Sequence, residues 1–315
     1  MSRAKQTLTF VTMLIFGISC DRQKEIKNGE GFVDVTGGKI WYRVTGQGIK
    51  LPILMLHGGP GYPSQYLNPL SVLGNERRVI TFDQLGCGRS DEISDTTLMT
   101  VDSYVDQVNK LLNSLKVDEF YLYGHSWGTM LGVDYYLKFP QKIKGLILAS
   151  PCLNAKMWES DSDSLISKLP DSLQIVLRKN IKGIQLDSAV LANAVNTYWT
   201  SFYTRKQPTS ADFDSTASQV GLNVYQYMWG DNDFFIGGTL KNYDRTKDLS
   251  SIKIPTLYIG GEYDPARPST LEYYQGLTPN SELVIIKNAG HVTMHDNADD
   301  NDKAISDFLN SIEKK

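Results

Sequence analysis

Phe120-Tyr121-Leu122-Tyr123-Gly124-His125-Ser126-Trp127-Gly128 is the stretch that decides how this chain folds. Its first four residues read as a short buried strand, and residues 130–137 beyond it read as a helix. Between them lies G-x-S-x-G, the pattern of a nucleophile elbow, in which a serine occupies a sharp strand-to-helix turn. The bare pattern arises by chance in some chains of this composition, so its position between strand and helix carries the weight. The flanking Gly124 and Gly128 let the backbone turn without a Cβ clash. Ser126 then projects its hydroxyl beyond the sheet, at a helix N-terminus whose dipole favours negative charge. The alternative is an ordinary Gly-rich turn.

Outward from this stretch the pattern repeats. Residues 32–36 and 39–44 are strand-like and separated by Gly37-Gly38, a hairpin signal. Ile53-Leu54-Met55-Leu56 is a buried-strand run ending in His57-Gly58-Gly59-Pro60-Gly61. Residues 78–82 form another, ending in Asp83-Gln84-Leu85-Gly86-Cys87-Gly88. Val101, Tyr104, Val105, Val108, Leu111, Leu112 and Leu115 make one helical stripe. Downstream, residues 146–149, 256–259 and 283–286 are strands, and a last helix carries Ala304, Ile305, Phe308, Leu309 and Ile312. This alternation indicates an α/β fold, a mostly parallel sheet flanked by helices. Sites in such sheets lie at the strands' carboxyl ends, where the Gly-rich turns 57–61, 86–88 and 124–128 fall. Residues 153–247 lack a buried strand. Leu173, Val176 and Leu177, and then Tyr198, Trp199, Phe202 and Tyr203, follow helical spacing there, which predicts a helical cap inserted into a core of residues 32–152 and 248–315.

A serine nucleophile needs a base, and the chain has four histidines. His125 sits inside the elbow and points away from its neighbour's hydroxyl, and His57 precedes the glycines in a structural position. Folds with this elbow place acid and then histidine after the serine. His291, in the first turn after the last strand, is the candidate base, with His295 the runner-up. The acid belongs after the preceding strand, where Asp264 is the first choice and Glu262 the alternative. It would fix the histidine tautomer and stabilise the imidazolium. An oxyanion needs pre-aimed donors, and the backbone N–H groups of Trp127 and Gly59 are the candidates, since Pro60 has none.

The charge balance, 32 Lys+Arg against 35 Asp+Glu for a formal net charge of −3, gives no electrostatic case for nucleic acid as a partner. With 41% hydrophobic and 21% charged residues, the 315-residue chain is suited to a folded core. Three cysteines fit neither a disulfide framework nor a zinc site, and no cofactor is expected. The N-terminus reads as an export signal over residues 1–19, with Arg3 and Lys5 ahead of an uncharged, mostly apolar run at 8–18 that is too short to span a bilayer. It ends in Gly17-Ile18-Ser19-Cys20, which resembles a bacterial lipoprotein box, although Gly17 stands where a larger aliphatic residue is usual. Export follows from this reading, with membrane anchoring through a lipidated Cys20 and a polar tether at 20–31, or a periplasmic protein after plain cleavage.

His57-Gly58-Gly59-Pro60-Gly61, Asp83-Gln84-Leu85-Gly86-Cys87-Gly88-Arg89-Ser90 and the elbow together resemble the proline iminopeptidase (prolyl aminopeptidase) group of α/β-hydrolases. Tyr227-Met228-Trp229-Gly230-Asp231-Asn232-Asp233-Phe234 and Gly238-Thr239-Leu240-Lys241 extend the likeness through the cap, so that it covers roughly residues 32–312. The resemblance implies an exopeptidase that needs no metal and removes an N-terminal residue, often proline, from a small peptide or aminoacyl substrate. It also implies cap carboxylates that hold the substrate ammonium. Asp233 matches a position where the family usually has Glu, one methylene longer. A second acidic residue often follows the catalytic Asp, and here that place is Pro265. One carboxylate instead of two weakens ammonium binding. A second reading therefore keeps the machinery in an amino acid amidase or esterase without strict ammonium recognition. A third, a non-catalytic binding protein, is disfavoured because Ser126, His291 and the acid are all present. Cys87 and Cys152 read as buried thiols, with a disulfide between them as the alternative.

Overall fold

A computed structural model describes residues 26–207 and 209–314. The expected export signal at 1–19, Cys20 and residues 21–25 of the expected tether lie outside the described residues. Eight strands form one sheet: β1 (Gly29–Val35), β2 (Gly38–Thr45), β3 (Lys50–Leu56), β4 (Arg77–Phe82), β5 (Phe120–His125), β6 (Ile143–Ala149), β7 (Thr256–Gly261) and β8 (Ser281–Ile286). Their order is β1-β2-β4-β3-β5-β6-β7-β8. β1 and β2 pair antiparallel, as do β2 and β4, and the remaining pairs are parallel. Side chains alternate across the sheet, so Ile53, Met55, Tyr121, Tyr123, Ile147 and Leu257 enter one core layer and Leu54, Leu56, Leu122, Leu146, Leu148 and Tyr258 the other. Both faces are covered, which is why the central strands read as continuous apolar runs.

The helices follow from their stripes and caps. In α1 (Val101–Ser114), Thr100 Oγ1 accepts from the Ser103 N–H at 3.2 Å, and Tyr104, Val105, Val108, Leu111 and Leu112 are buried. α2 (Trp127–Lys138) is almost wholly buried against β5 and β6. α8 (Pro268–Leu277) opens with proline in its first turn. The short α9 (Thr293–Asp296) leads into α10 (Ala298–Glu313), which buries Ile305, Phe308 and Leu309.

Between β6 and β7 stand five helices: α3 (Ala155–Ile166), α4 (Asp171–Ile181), α5 (Ser188–Phe202), α6 (Ala211–Ala217) and α7 (Leu222–Met228). The chain enters and leaves this cap through one neck. Ala155 N–H donates to the Tyr243 carbonyl and Arg245 N–H to that of Leu153, both at 2.9 Å. Asp134 on α2 fastens the returning strand, accepting from the Tyr243 hydroxyl at 2.6 Å and from the Arg245 guanidinium at 2.5 Å.

The structure corrects several sequence readings. β1 begins at Gly29, so residues 29–31, assigned to the tether, pair with Val44, Arg43 and Tyr42 instead. The hairpin turn is Thr36-Gly37, since Gly38 already pairs with Val35. A 3-10 helix at Ser64–Asn75 and helix α8 had no sequence reading. Cys87 and Cys152, by contrast, are buried free thiols as the sequence reading has them.

Candidate active site

The elbow follows from its glycines. A Cβ on Gly124 would collide with the Gly128 carbonyl oxygen, and one on Gly128 with that of Leu56. The tight approach leaves Ser126 at φ 54° and ψ −121°, a conformation costly for a residue with a side chain. It is held from outside: Ser126 N–H donates to the Ala149 carbonyl at 3.0 Å, and the Ser126 carbonyl accepts from the Thr129 N–H at 2.8 Å and the Thr129 hydroxyl at 2.6 Å.

His291 follows β8 and shares a cavity wall with Ser126. Its Nδ1 lies 2.8 Å from Asp264 Oδ1, and both side chains are buried. The same carboxylate accepts from the Ala266 N–H at 2.8 Å, the first N–H beyond Pro265. With Nδ1–H donating to the carboxylate, the other ring nitrogen of the neutral imidazole keeps a lone pair. Glu262 is exposed and accepts from the Asn288 N–H at 3.0 Å, well occupied away from His291. His295 is also engaged at both ring nitrogens, 2.7 Å from the Tyr66 carbonyl and 3.2 Å from the Ser210 hydroxyl.

The other two histidines are buried and neutral. His57 Nε2 accepts from the Gln84 N–H at 2.9 Å while Nδ1 donates to the Gly58 carbonyl at 2.9 Å. Gln84 in turn takes the indole N–H of Trp127 at 2.8 Å, tying the elbow to the His57 loop. Burial pushes the affinity of His57 for a second proton down, and that of His125 further down, with neighbouring His291 adding to the effect. On the 57–61 loop, the Gly58 N–H is spent on the Tyr66 hydroxyl at 2.7 Å. Pro60 has none, and of the other loop glycines Gly59 lines the cavity while Gly61 does not, so the N–H of Gly59 is the candidate.

The cavity, about 70 Å³, is roofed by the cap and lined largely by aromatic rings. Trp158 packs edge-on to Trp229 with ring centres 5.4 Å apart, and Tyr62 packs edge-on to Tyr225 at 5.7 Å. Trp199 stacks on Tyr203 at 4.4 Å. Among them is one carboxylate. Asp233 Oδ2 accepts from the Trp199 indole N–H at 2.7 Å, Oδ1 accepts from the Tyr225 hydroxyl, and its backbone carbonyl accepts from the Trp158 indole at 2.9 Å. Asn232 Oδ1 shapes the turn by accepting from the N–H groups of Phe234 and Phe235. Burial raises the Asp233 carboxyl above its usual range, opposed by the two hydrogen bonds. Among the described residues no Lys or Arg pairs with it. No group of His, Cys, Asp and Glu suited to a metal ion occurs among the described residues.

The chain has close relatives in sequence and fold. The family model described as the alpha/beta hydrolase fold matches residues 52–298. The proline iminopeptidase of Heyndrickxia coagulans is 38% identical over 286 residues, which cover 90% of this chain and 99% of that protein. The proline iminopeptidase of Saccharolobus solfataricus is 30% identical, covering 96% of each. The chain belongs to the proline iminopeptidase family of α/β-hydrolases. The crystal structure of the Mycobacterium smegmatis proline iminopeptidase superposes with a TM-score of 0.84 at 25% identity, covering 90% of this chain and 98% of that one. The structure of VinJ gives 0.85 at 30% identity, covering 90% and 99%.

Set within the proline iminopeptidase family, the site contains groups that the sequence reading passed over. Tyr62, Tyr66 and Tyr225 carried no motif, and Trp158 had no partner along the chain. An aromatic-rich cap was visible, but which of its rings face the cavity depends on helix packing.

Proposed function

We propose that this chain is a serine exopeptidase that releases an N-terminal residue, proline or another small apolar one, from short peptides. Ser126 is the nucleophile, His291 the general base and acid, and Asp264 the carboxylate that orients and charge-balances His291. Ser126 Oγ attacks the carbonyl of the first residue as its proton passes to His291. The oxyanion rests on the N–H groups of Trp127 and Gly59, assisted by the N-terminus of the 12-residue α2. His291 then protonates the departing amine, and water, activated by the same ring, clears the acyl-enzyme.

One observation carries the exopeptidase reading: Asp233, half-buried and without a basic partner among the described residues, lines the same cavity as Ser126 and His291. A carboxylate so placed invites a cation, and the cation of an N-terminal residue is its ammonium. The aromatic walls favour the same charge and the apolar ring beside it. The family name borne by the relatives agrees with this substrate. Hydrolysis of proline arylamide and of its N-acetylated form tests it. The free amine is expected to react at least tenfold faster, and equal rates would transfer the chain to the second reading, an amidase or esterase without ammonium recognition. Pro265, which leaves one acidic residue where the resemblance implies two, is the observation behind that second reading.

Export with lipid attachment at Cys20 is proposed from the sequence of residues 1–20 alone. Loss of membrane fractionation in Cys20→Ala is the expected result, and unchanged fractionation would reject the anchor.

A further inference from the structure

Two buried side chains outside the three reacting groups join the two halves of the site. Tyr66 rises from the 3-10 helix Ser64–Asn75, and its hydroxyl accepts from the Gly58 N–H at 2.7 Å. That hydroxyl lies 2.9 Å from Nδ1 of His125. Nε2 of His125 lies 2.9 Å from the carbonyl oxygen of His291. One set of proton positions satisfies all three contacts. The carbonyl of His291 can only accept, so His125 donates from Nε2. Nδ1 of the neutral ring then accepts, so the Tyr66 hydroxyl donates to it, and its oxygen is left to accept from Gly58. The direction is fixed from one end to the other. The rings are in contact as well, with centres 5.3 Å apart for Tyr66 and His125 and 4.8 Å for His125 and His291.

We propose that Tyr66 and His125 are positioning residues that set the Gly58-Gly59 loop and the His291 loop in register with each other. The chain of bonds begins one residue before the N–H assigned to the oxyanion and ends on the backbone of the assigned base. It passes through the residue directly before Ser126. A donor displaced by an ångström from the developing oxyanion loses much of its effect, so the chain acts on the transition state more than on substrate binding. Ser150 also donates its hydroxyl to the His291 carbonyl, at 2.8 Å, so loss of His125 leaves that oxygen with a partner and changes its aim instead of abandoning it.

The inference rests on the assignment of Ser126 and His291 to the reaction, and the experiment separates the two. Tyr66→Phe keeps the ring and removes both hydroxyl contacts. His125→Asn keeps an acceptor near Nδ1 and removes the donor to His291. Each variant, the double variant and the parent are compared by thermal unfolding, by kcat and KM on aminoacyl arylamides, and by the rate at which a fluorophosphonate labels Ser126. Each single change is expected to lower kcat and the labelling rate by roughly tenfold to a hundredfold, with KM within about threefold. The double variant is expected to fall no further than the weaker single one, because both break the same chain. Folded variants that label and turn over within about twofold of the parent overturn the proposal, as does a double variant whose losses multiply. If His125→Asn does not fold, Tyr66→Phe decides alone. A parent whose Ser126 takes no label removes the catalytic assignment itself and the positioning role with it.

Discussion

The backbone N–H of His291 donates to the carbonyl of Phe202 at 2.9 Å, joining the loop of the assigned base to the last residue of α5. The pairing continues with Val292 N–H on the Tyr203 carbonyl at 3.1 Å. Asp296 closes it, one carboxylate oxygen accepting from the N–H groups of Arg205 and Lys206 at 2.9 Å and the other from the Gly290 N–H at 2.8 Å. Cap and base loop are thus knitted by main-chain contacts, so the position of the base depends on how the cap is seated.

Asp296→Asn tests that dependence. An amide supplies one acceptor oxygen where the carboxylate supplies two, so at least one of these N–H groups loses its partner. The expected cost is about 1–3 kcal/mol of stability, together with a lower kcat. Denaturant unfolding and steady-state kinetics on the same samples check it. A stability loss with unchanged kcat would confine Asp296 to holding the fold.

Asp233→Asn is expected to remove the preference for a free amine. Its amide can still accept from Trp199 and meet the Tyr225 hydroxyl, so the pocket keeps its shape while the charge disappears. A loss of roughly a hundredfold in kcat/KM for proline arylamide is expected, with little change for the N-acetylated form. Parallel assays of the two substrates measure it, and an equal loss on both would reject ammonium binding at this residue.

The raised Asp233 carboxyl also predicts two pH effects of opposite sign. Ammonium binding needs the ionised form, so KM should rise as pH falls through the raised value. For stability, the folded state holds this proton more tightly than the unfolded chain. Its contribution is therefore present below the ordinary Asp value of 3.8 and is lost as pH rises through the raised one. Asp233→Asn should accordingly be more stable than the parent at neutral pH, with the difference vanishing in acid. Melting curves across pH check this, and a less stable variant at neutral pH would contradict it.

His57 and His125 predict acid sensitivity. Both are buried with proton affinity lowered from the ordinary 6.5, so the unfolded chain binds these protons first. Stability is expected to fall as pH drops below about 6.5, over the window down to the lowered values. His125→Asn should flatten that slope, and unfolding free energies at a series of pH values measure it.

The elbow glycines allow a stability prediction independent of chemistry. Gly128→Ala drives a methyl into the Leu56 carbonyl, which belongs to a central strand and cannot retreat. A loss of about 3–5 kcal/mol, or failure to accumulate folded protein, is expected. Denaturant midpoints decide it.

What could be read in advance follows physical range. The runs around Leu54, Leu122 and Leu148 announced themselves because central strands buried on both faces need apolar residues at every position. Ser126 was visible because the elbow's steric demands are met within five residues, and His291 and Asp264 because each follows a legible strand. The start of β1 was not, since Gly29, Glu30 and Gly31 have no strand signal of their own and their pairing is imposed by β2. α8 was hidden because few of its residues are buried, Thr270, Leu271 and Tyr274 among them. Tyr66 lies in a 3-10 segment without a usable period, and its partner His125 is 59 residues away. Asp296 carried no sequence signal, because its cap donors are 90 and 91 residues distant.

The neck between Leu153 and Arg245 has a consequence for how such a chain can change. Departing and returning strands touch there, so the sheet experiences the excursion of about ninety residues as a hairpin with a very long loop. The entropy of closing a loop grows only with the logarithm of its length, and doubling it adds about 0.6 kcal/mol. Lengthening, shortening or rewriting the cap therefore leaves the registers of β6 and β7 nearly undisturbed. The substrate preference proposed for Asp233 and its aromatic neighbours can then drift, provided Phe202 and Tyr203 keep their main-chain contacts with the His291 loop.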